Sequence, residues 1–234
     1  MEFTIECDHE RGRADHGWLR ARFGFSFAEY TNREKMGFGA LRVFNDDLIE
    51  PGGNFPLHGH SDYEVMTVVI EGAIEHGDTL GHKRLIPAGQ VQHMTTGSGV
   101  EHSERNPLEH TLHSLQIWIK PRTKGLKPAY QFSDFPEGYQ TDRLAPLVCG
   151  TPQESALVMQ QDGRVLRGHF TRHITYTHRL DNPNHGLYLF VIHGSAKHEQ
   201  FWLKPGDSAA ITGIKEIALE VTEGCDLVAI EVPL

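Results

Sequence analysis

The chain has 234 residues, enough for one large β domain or two domains of just over a hundred residues, each with room for a core. Its 22 basic and 31 acidic residues give a net charge of −9, which weighs against direct, charge-driven contact with nucleic acid but not against a protein partner. Sixteen histidines, about three times an ordinary share, point to metal chemistry.

The start, Met1-Glu2-Phe3-Thr4-Ile5-Glu6, has neither the basic nor the apolar region of a signal peptide, and no uncharged apolar run reaches the roughly 20 residues a spanning helix needs. Cys7, Cys149 and Cys225 lie far apart, without the paired spacing of a disulfide framework or a thiolate zinc site. A cytoplasmic location without membrane attachment is the expectation.

Along the chain, 24 glycines and 12 prolines punctuate short apolar runs, and no stretch keeps a helical period for more than about two turns. The first chemical signal is His58-Gly59-His60. At about 7 % histidine one such pair arises by chance, so its weight comes from geometry: on a strand, residues i and i+2 share a face. Val65 to Ile70 reads as a strand ending at Gly72, and Leu85-Ile86-Pro87-Ala88-Gly89 as a strand entering a turn. His76 alternates with apolar residues, as at a strand or rim position. His102-Ser103-Glu104 repeats the i, i+2 pattern with an imidazole and a carboxylate, so two strands would offer four ligands to one interior. Leu115 to Ile119 is a further strand, while His110 and His113 follow the Asn106-Pro107 turn and read as exposed loop residues.

Lys120 to Gly138, rich in Pro, Lys and Gly, marks a connection. The domains expected are 1–122, carrying the metal site, and 145–234, without a metal, joined by 123–144. Strands are expected at Leu187 to Ile192, Ile217 to Val221 and Leu227 to Val232. Val191-Ile192-His193-Gly194, followed by Trp202-Leu203-Lys204-Pro205-Gly206-Asp207, repeats the earlier pattern about 120 residues on, as an internal duplication would. His169, His173, His178, His185, His193 and His198 form no same-face pair with a carboxylate of comparable spacing.

Gly52, His58-x-His60 and Glu64, with Gly81 and Pro87-x-Gly89, resemble the two motifs of the cupin superfamily. Ala14-Asp15-His16-Gly17-Trp18-Leu19, Phe25 to Tyr30, Met36-Gly37-Phe38-Gly39, Leu41-Arg42-Val43 with Asn45-Asp46-Asp47, and Gly97 to Glu104 resemble the pirin family in particular. The resemblance implies an all-β bicupin: two antiparallel, jelly-roll-like β-barrel domains facing each other, with one metal in the first. The family's ligand pattern falls on His58, His60, His102 and Glu104. The broader cupin pattern instead takes Glu64 as carboxylate and puts Gln92, beside His93, in the slot of the third histidine. The pirin set is preferred because His102 and Glu104 share a strand face; Glu64 and His93 stay open as ligands.

Three imidazoles and one carboxylate suit Fe(II), the first choice, or Ni, Cu, Mn, Co or Zn, better than Ca or Mg. Some bacterial pirins act on quercetin as 2,3-dioxygenases and a eukaryotic member is an iron-dependent coregulator. The expectation is therefore a metal-dependent dioxygenase taking a flavonol or similar aromatic enol and dioxygen, with Glu104 accepting the substrate's proton. The alternatives are a metal-bound regulatory or protein-binding module without turnover, and a cupin isomerase or hydrolase.

Overall fold

The computed structural model describes residues 1–135, 139, 141–153 and 156–234; part of the expected connection 123–144 lies outside them. The described residues contain one 3₁₀ turn, Asp8–Glu10, and no α-helix. All else is strand and loop, as the Gly/Pro punctuation implies, and no helix is long and apolar enough to cross a membrane.

In chain order the strands are β1 (Glu2–Glu6), β2 (Gly12–Asp15), β3 (Leu19–Phe23), β4 (Leu41–Ile49), β5 (Asn54–His60), β6 (Glu64–Glu71), β7 (Ala73–Asp78), β8 (Lys83–Pro87), β9 (Gln90–Thr95), β10 (Val100–Arg105), β11 (Leu112–Ile119) and β12 (Ala129–Asp134). There follow β13 (Ala145–Cys149), β14 (Leu157–Val158), β15 (Arg164–Phe170), β16 (Ile174–Arg179), β17 (His185–His193), β18 (Ala196–His198), β19 (Phe201–Leu203), β20 (Ser208–Thr212), β21 (Glu216–Val221) and β22 (Cys225–Pro233). Each of the five runs read as strands from sequence lies within one of these: β6, β11, β17, β21 and β22.

The chain forms two compact units. One comprises residues 12–135 with 159–161; the other comprises 1–11, the described part of Pro136–Val158, and 162–234. The first unit has a seven-stranded sheet, β12-β9-β6-β11-β4-β3-β2, and a four-stranded sheet, β5-β10-β7-β8. The second has a seven-stranded sheet, β1-β20-β17-β22-β15-β13-β14, and a four-stranded sheet, β16-β21-β18-β19. The strand orders match for β4 to β11 against β15 to β22, so the duplication seen around Gly72 and Gly194 extends through both sheets; the outer edges differ, β2 pairing antiparallel with β3 but β14 parallel with β13. Both glycines end their strands at positive φ, +80° and +71°, and a Cβ on Gly194 would lie 2.7 Å from the Cα of Cys225, so only glycine fits that turn.

Two findings differ from the sequence expectation. No hydrogen-bonded ladder joins the two sheets of a unit among the described residues, so each unit is a jelly-roll pair of sheets rather than a closed barrel. Residues 1–11 also sit outside the first unit, because β1 pairs with β20 over Glu2 to Glu6 and takes the edge place that β12 holds in the first unit. The second unit's core is an apolar cluster running from Leu144 and Phe170 to Leu227 and Ala229. The first unit's core divides: Leu19, Phe23, Ile49, Val69, Ile74 and Leu112 pack at one end, Val65, Met94 and Val100 at the other.

Candidate metal centre

Polar side chains converge between the two sheets of the first unit. Val100 lies opposite His60, and His102 opposite His58, in the β5–β10 ladder; a bulge after His102 brings Glu104 opposite Phe55. On its other edge β10 pairs with β7, setting His102 against Asp78 and Glu104 against His76. Residues that face one another across a ladder share its face, so the four-stranded sheet directs all these imidazoles and Glu104 inward. The seven-stranded sheet answers with a row at one level, Gln92, Thr67, Gln116 and Asn45, successive partners across β9, β6, β11 and β4.

The ring centroids of His58, His60 and His102 are 4.5–4.8 Å apart, and the Nε2 atoms of His60 and His102 face each other at 2.9 Å. His58 donates from Nδ1 to the carbonyl of Pro56 at 2.7 Å, which leaves its Nε2 as a bare lone pair. These three form one cluster whose ligand atoms lie within 4.8 Å of one another; His76, His102 and Glu104 form a second, overlapping cluster. Burial, reinforced by neighbouring imidazoles, pushes His60 down to about 4 and His102 down to about 3, so both are neutral near pH 7 with lone pairs available.

Glu104 is buried and surrounded by neutral donors. The Thr67 hydroxyl and the Gln92 amide donate to Oε1 at 3.0 and 2.5 Å, and the Gln116 amide donates to Oε2 at 3.1 Å. Behind them the Tyr130 hydroxyl, held protonated by burial, donates to Gln92 Oε1 at 3.0 Å. No cation offsets the carboxylate in these contacts, so an incoming cation meets a preformed partner.

His76 is the residue whose importance sequence pattern understated. It lies on a strand, as expected, but fully buried rather than at a rim, with Nε2 at 2.9 Å from Asp78 Oδ2 and Nδ1 without a partner. Burial opposes ionisation of Asp78, but hydrogen bonds from His76 and His82 prevail and hold its carboxyl below the ordinary range. A carboxylate on one ring nitrogen is the usual partner of a ligating histidine. The signal was His76-Gly77-Asp78, an i, i+2 pair like the other two.

Glu64 and His93 lie elsewhere. On β6 Glu64 is three residues from Thr67, and on β9 His93 is adjacent to Gln92, so strand alternation turns both to the opposite face of the large sheet. There His93 Nε2 donates to Glu64 Oε2 at 2.7 Å, joined by the Thr95 hydroxyl at 2.9 Å and the backbone NH of Gln160 at 3.2 Å. His110 is exposed, as expected; His113 is instead a half-buried strand residue 2.6 Å from Asp46 Oδ1. In the second unit His178 bonds Glu231 at 2.7 Å beside Arg164, an ion-pair network rather than a set of open donors.

Beside the imidazoles opens a cavity of about 340 Å³ lined by His58, His60, His102 and Glu104. Trp18, Phe23, Phe27, Phe55 and Trp118 make its walls, with Trp18 edge-on to Phe55 at 4.9 Å and His60 edge-on to Trp118 at 4.7 Å. Such a space accepts a flat aromatic molecule with one edge at the polar cluster.

Comparison with known proteins agrees with this architecture. The pirin family model matches residues 5–119, and a model described as the quercetinase C-terminal cupin domain matches residues 147–232. The chain belongs to the pirin family. A pirin-like protein of Caulobacter vibrioides is 39 % identical over 94 % of this chain and 95 % of its own, and a quercetin 2,3-dioxygenase of Escherichia coli is 34 % identical over 96 % of each. The crystal structure of the bacterial pirin YhhW from Escherichia coli in complex with nickel(II) superposes with a TM-score of 0.92, at 32 % identity over 99 % of both chains. The fold is thus the two-domain pirin form of the cupin jelly roll.

Proposed function

We propose that this pirin is a metal-dependent dioxygenase that opens a flavonol such as quercetin with dioxygen, using one divalent transition ion held by His58, His60, His102 and Glu104. The observation that carries this reading is the meeting of two environments: a cluster of neutral imidazoles and a buried carboxylate at the side of a 340 Å³ aromatic cavity. The donors fit such an ion. Two facing Nε2 atoms, a His58 tautomer fixed by Pro56 and a carboxylate without a cationic partner in its hydrogen bonds are the features expected of three nitrogen ligands and one oxygen ligand. That a relative has been crystallised with nickel(II) supports a divalent ion without selecting the native one.

A bound ion of this kind supplies the Lewis-acid and electron-transfer chemistry that lets an enolate react with dioxygen. The aromatic walls bind the flat ring system and exclude water, and the cluster sets which edge reacts. Glu104 accepts the proton of the enol hydroxyl; the donors from Thr67, Gln92 and Gln116 keep the carboxyl oriented through that transfer. Insertion of both oxygen atoms opens the ring and releases carbon monoxide.

The test is aerobic incubation of the metal-loaded protein with quercetin, following loss of its visible absorption and release of carbon monoxide. Turnover that depends on bound metal supports the reading. No turnover with any of several divalent metals, in protein shown to be loaded, overturns it for this substrate.

A further inference from the structure

The polar row on the large sheet does not end at Glu104. Gln116 faces Asn45 directly across the β11–β4 ladder, and both side chains line the cavity. Asn45 is 3 % exposed, and its Oδ1 has no hydrogen-bond partner. Gln116 Oε1 also has none, and its orientation is fixed: the amide nitrogen must face the Glu104 carboxylate, to which it donates at 3.1 Å, so the oxygen faces away. One turn of the β11 pleat further on, Trp118 also lines the cavity and its indole Nε1 has no partner. Unsatisfied buried polar atoms cost free energy unless something in the working state pairs with them.

We infer that Asn45 and Gln116 are specificity residues, whose amide oxygens accept hydrogen bonds from hydroxyl groups of a planar aromatic ligand in this cavity. Two acceptors side by side demand donors, so the ligand class is a polyhydroxylated aromatic rather than a hydrocarbon or an O-alkylated ring. The apolar walls supply affinity for any flat ring; the amide pair supplies the discrimination, because a ligand without hydroxyls leaves both oxygens desolvated and unpaired. The inference deepens the dioxygenase reading and rests on it for the choice of probe, but it concerns binding rather than turnover.

The experiment is anaerobic titration of metal-loaded protein with quercetin and with its fully O-methylated ether, read by quenching of tryptophan fluorescence, since Trp18 and Trp118 line the cavity. Wild type is expected to bind quercetin at least tenfold more tightly than the ether. Asn45→Leu, which keeps approximate size and removes the acceptor, is expected to weaken quercetin roughly tenfold and to narrow the gap to the ether, with metal content unchanged. Should Asn45→Leu fail to fold, Asn45→Ala repeats the substitution with a smaller side chain; the wild-type preference alone also reflects the enol hydroxyl that meets Glu104, so the variant decides. Equal wild-type affinities, or a gap that Asn45→Leu leaves intact, overturn the inference even if quercetin is turned over. Selective binding without turnover upholds it and overturns the dioxygenase reading; binding of neither probe overturns both.

Discussion

Burial moves His60 and His102 well below the ordinary imidazole range. Titrating near 4 and 3 in the folded, metal-free protein against an ordinary 6.5, they stay neutral where an unfolded chain would take up protons. Between pH 6.5 and about 4 the unfolded state therefore binds more protons, and stability falls as the pH falls. Urea midpoints of chelator-treated protein are expected to drop from pH 6.5 to 5, above the range where ordinary carboxylates titrate, and His102→Gln should flatten that slope; an unchanged slope in the variant would contradict the assigned burial effect. On the proposed reading, metal content depends on the same cluster. His60→Ala and Glu104→Ala are expected to lower bound metal at least tenfold by elemental analysis, and His93→Ala to leave it unchanged. The reverse order would favour the broader cupin pattern. Much of this cluster was legible because His58-x-His60 and His102-x-Glu104 each announce a shared strand face. His76 was less so: His76-x-Asp78 carries the same i, i+2 signal, but the placement of β7 against β10, which brings the pair to the cluster, rests on a long-range pairing.

At the scale of elements, strand alternation decides which carboxylate enters the site. Glu64 and Thr67 differ by an odd number of positions on β6, so one faces Glu104 and the other faces His93. The i, i+2 spacing from His102 favoured Glu104 but left Glu64 open, because the parity of β6 relative to β10 is set by pairing across the sheets. Glu64 serves the fold: it accepts from His93, Thr95 and the backbone of Gln160. Glu64→Ala is expected to destabilise the first unit by about 2–4 kcal/mol in chemical denaturation, by stranding buried donors. Its metal content should not change, and a large metal loss without a stability loss would contradict this division of labour.

For the whole molecule, strand content and duplication were readable from Gly72 and Gly194 and the apolar runs before them, since turn chemistry is local. The assignment of residues 1–11 was not, because the pairing of β1 with β20 spans about two hundred residues and leaves no local pattern. The same pairing makes a prediction. Removal of residues 2–6 exposes the edge of β20 and withdraws Ile5 from the second unit's core, so the β20 amides are expected to exchange hydrogen faster while those of β6 and β11 do not. Uniform acceleration in both units would contradict it.

On the proposed reading one divalent ion sits among His58, His60, His102 and Glu104 beside the aromatic cavity. Anomalous diffraction from crystals of the metal-loaded protein, collected on both sides of the metal's absorption edge, tests it most directly. One strong anomalous peak is expected within bonding distance of these four side chains. A peak at Glu64 and His93, or none in protein shown to carry metal, would contradict it.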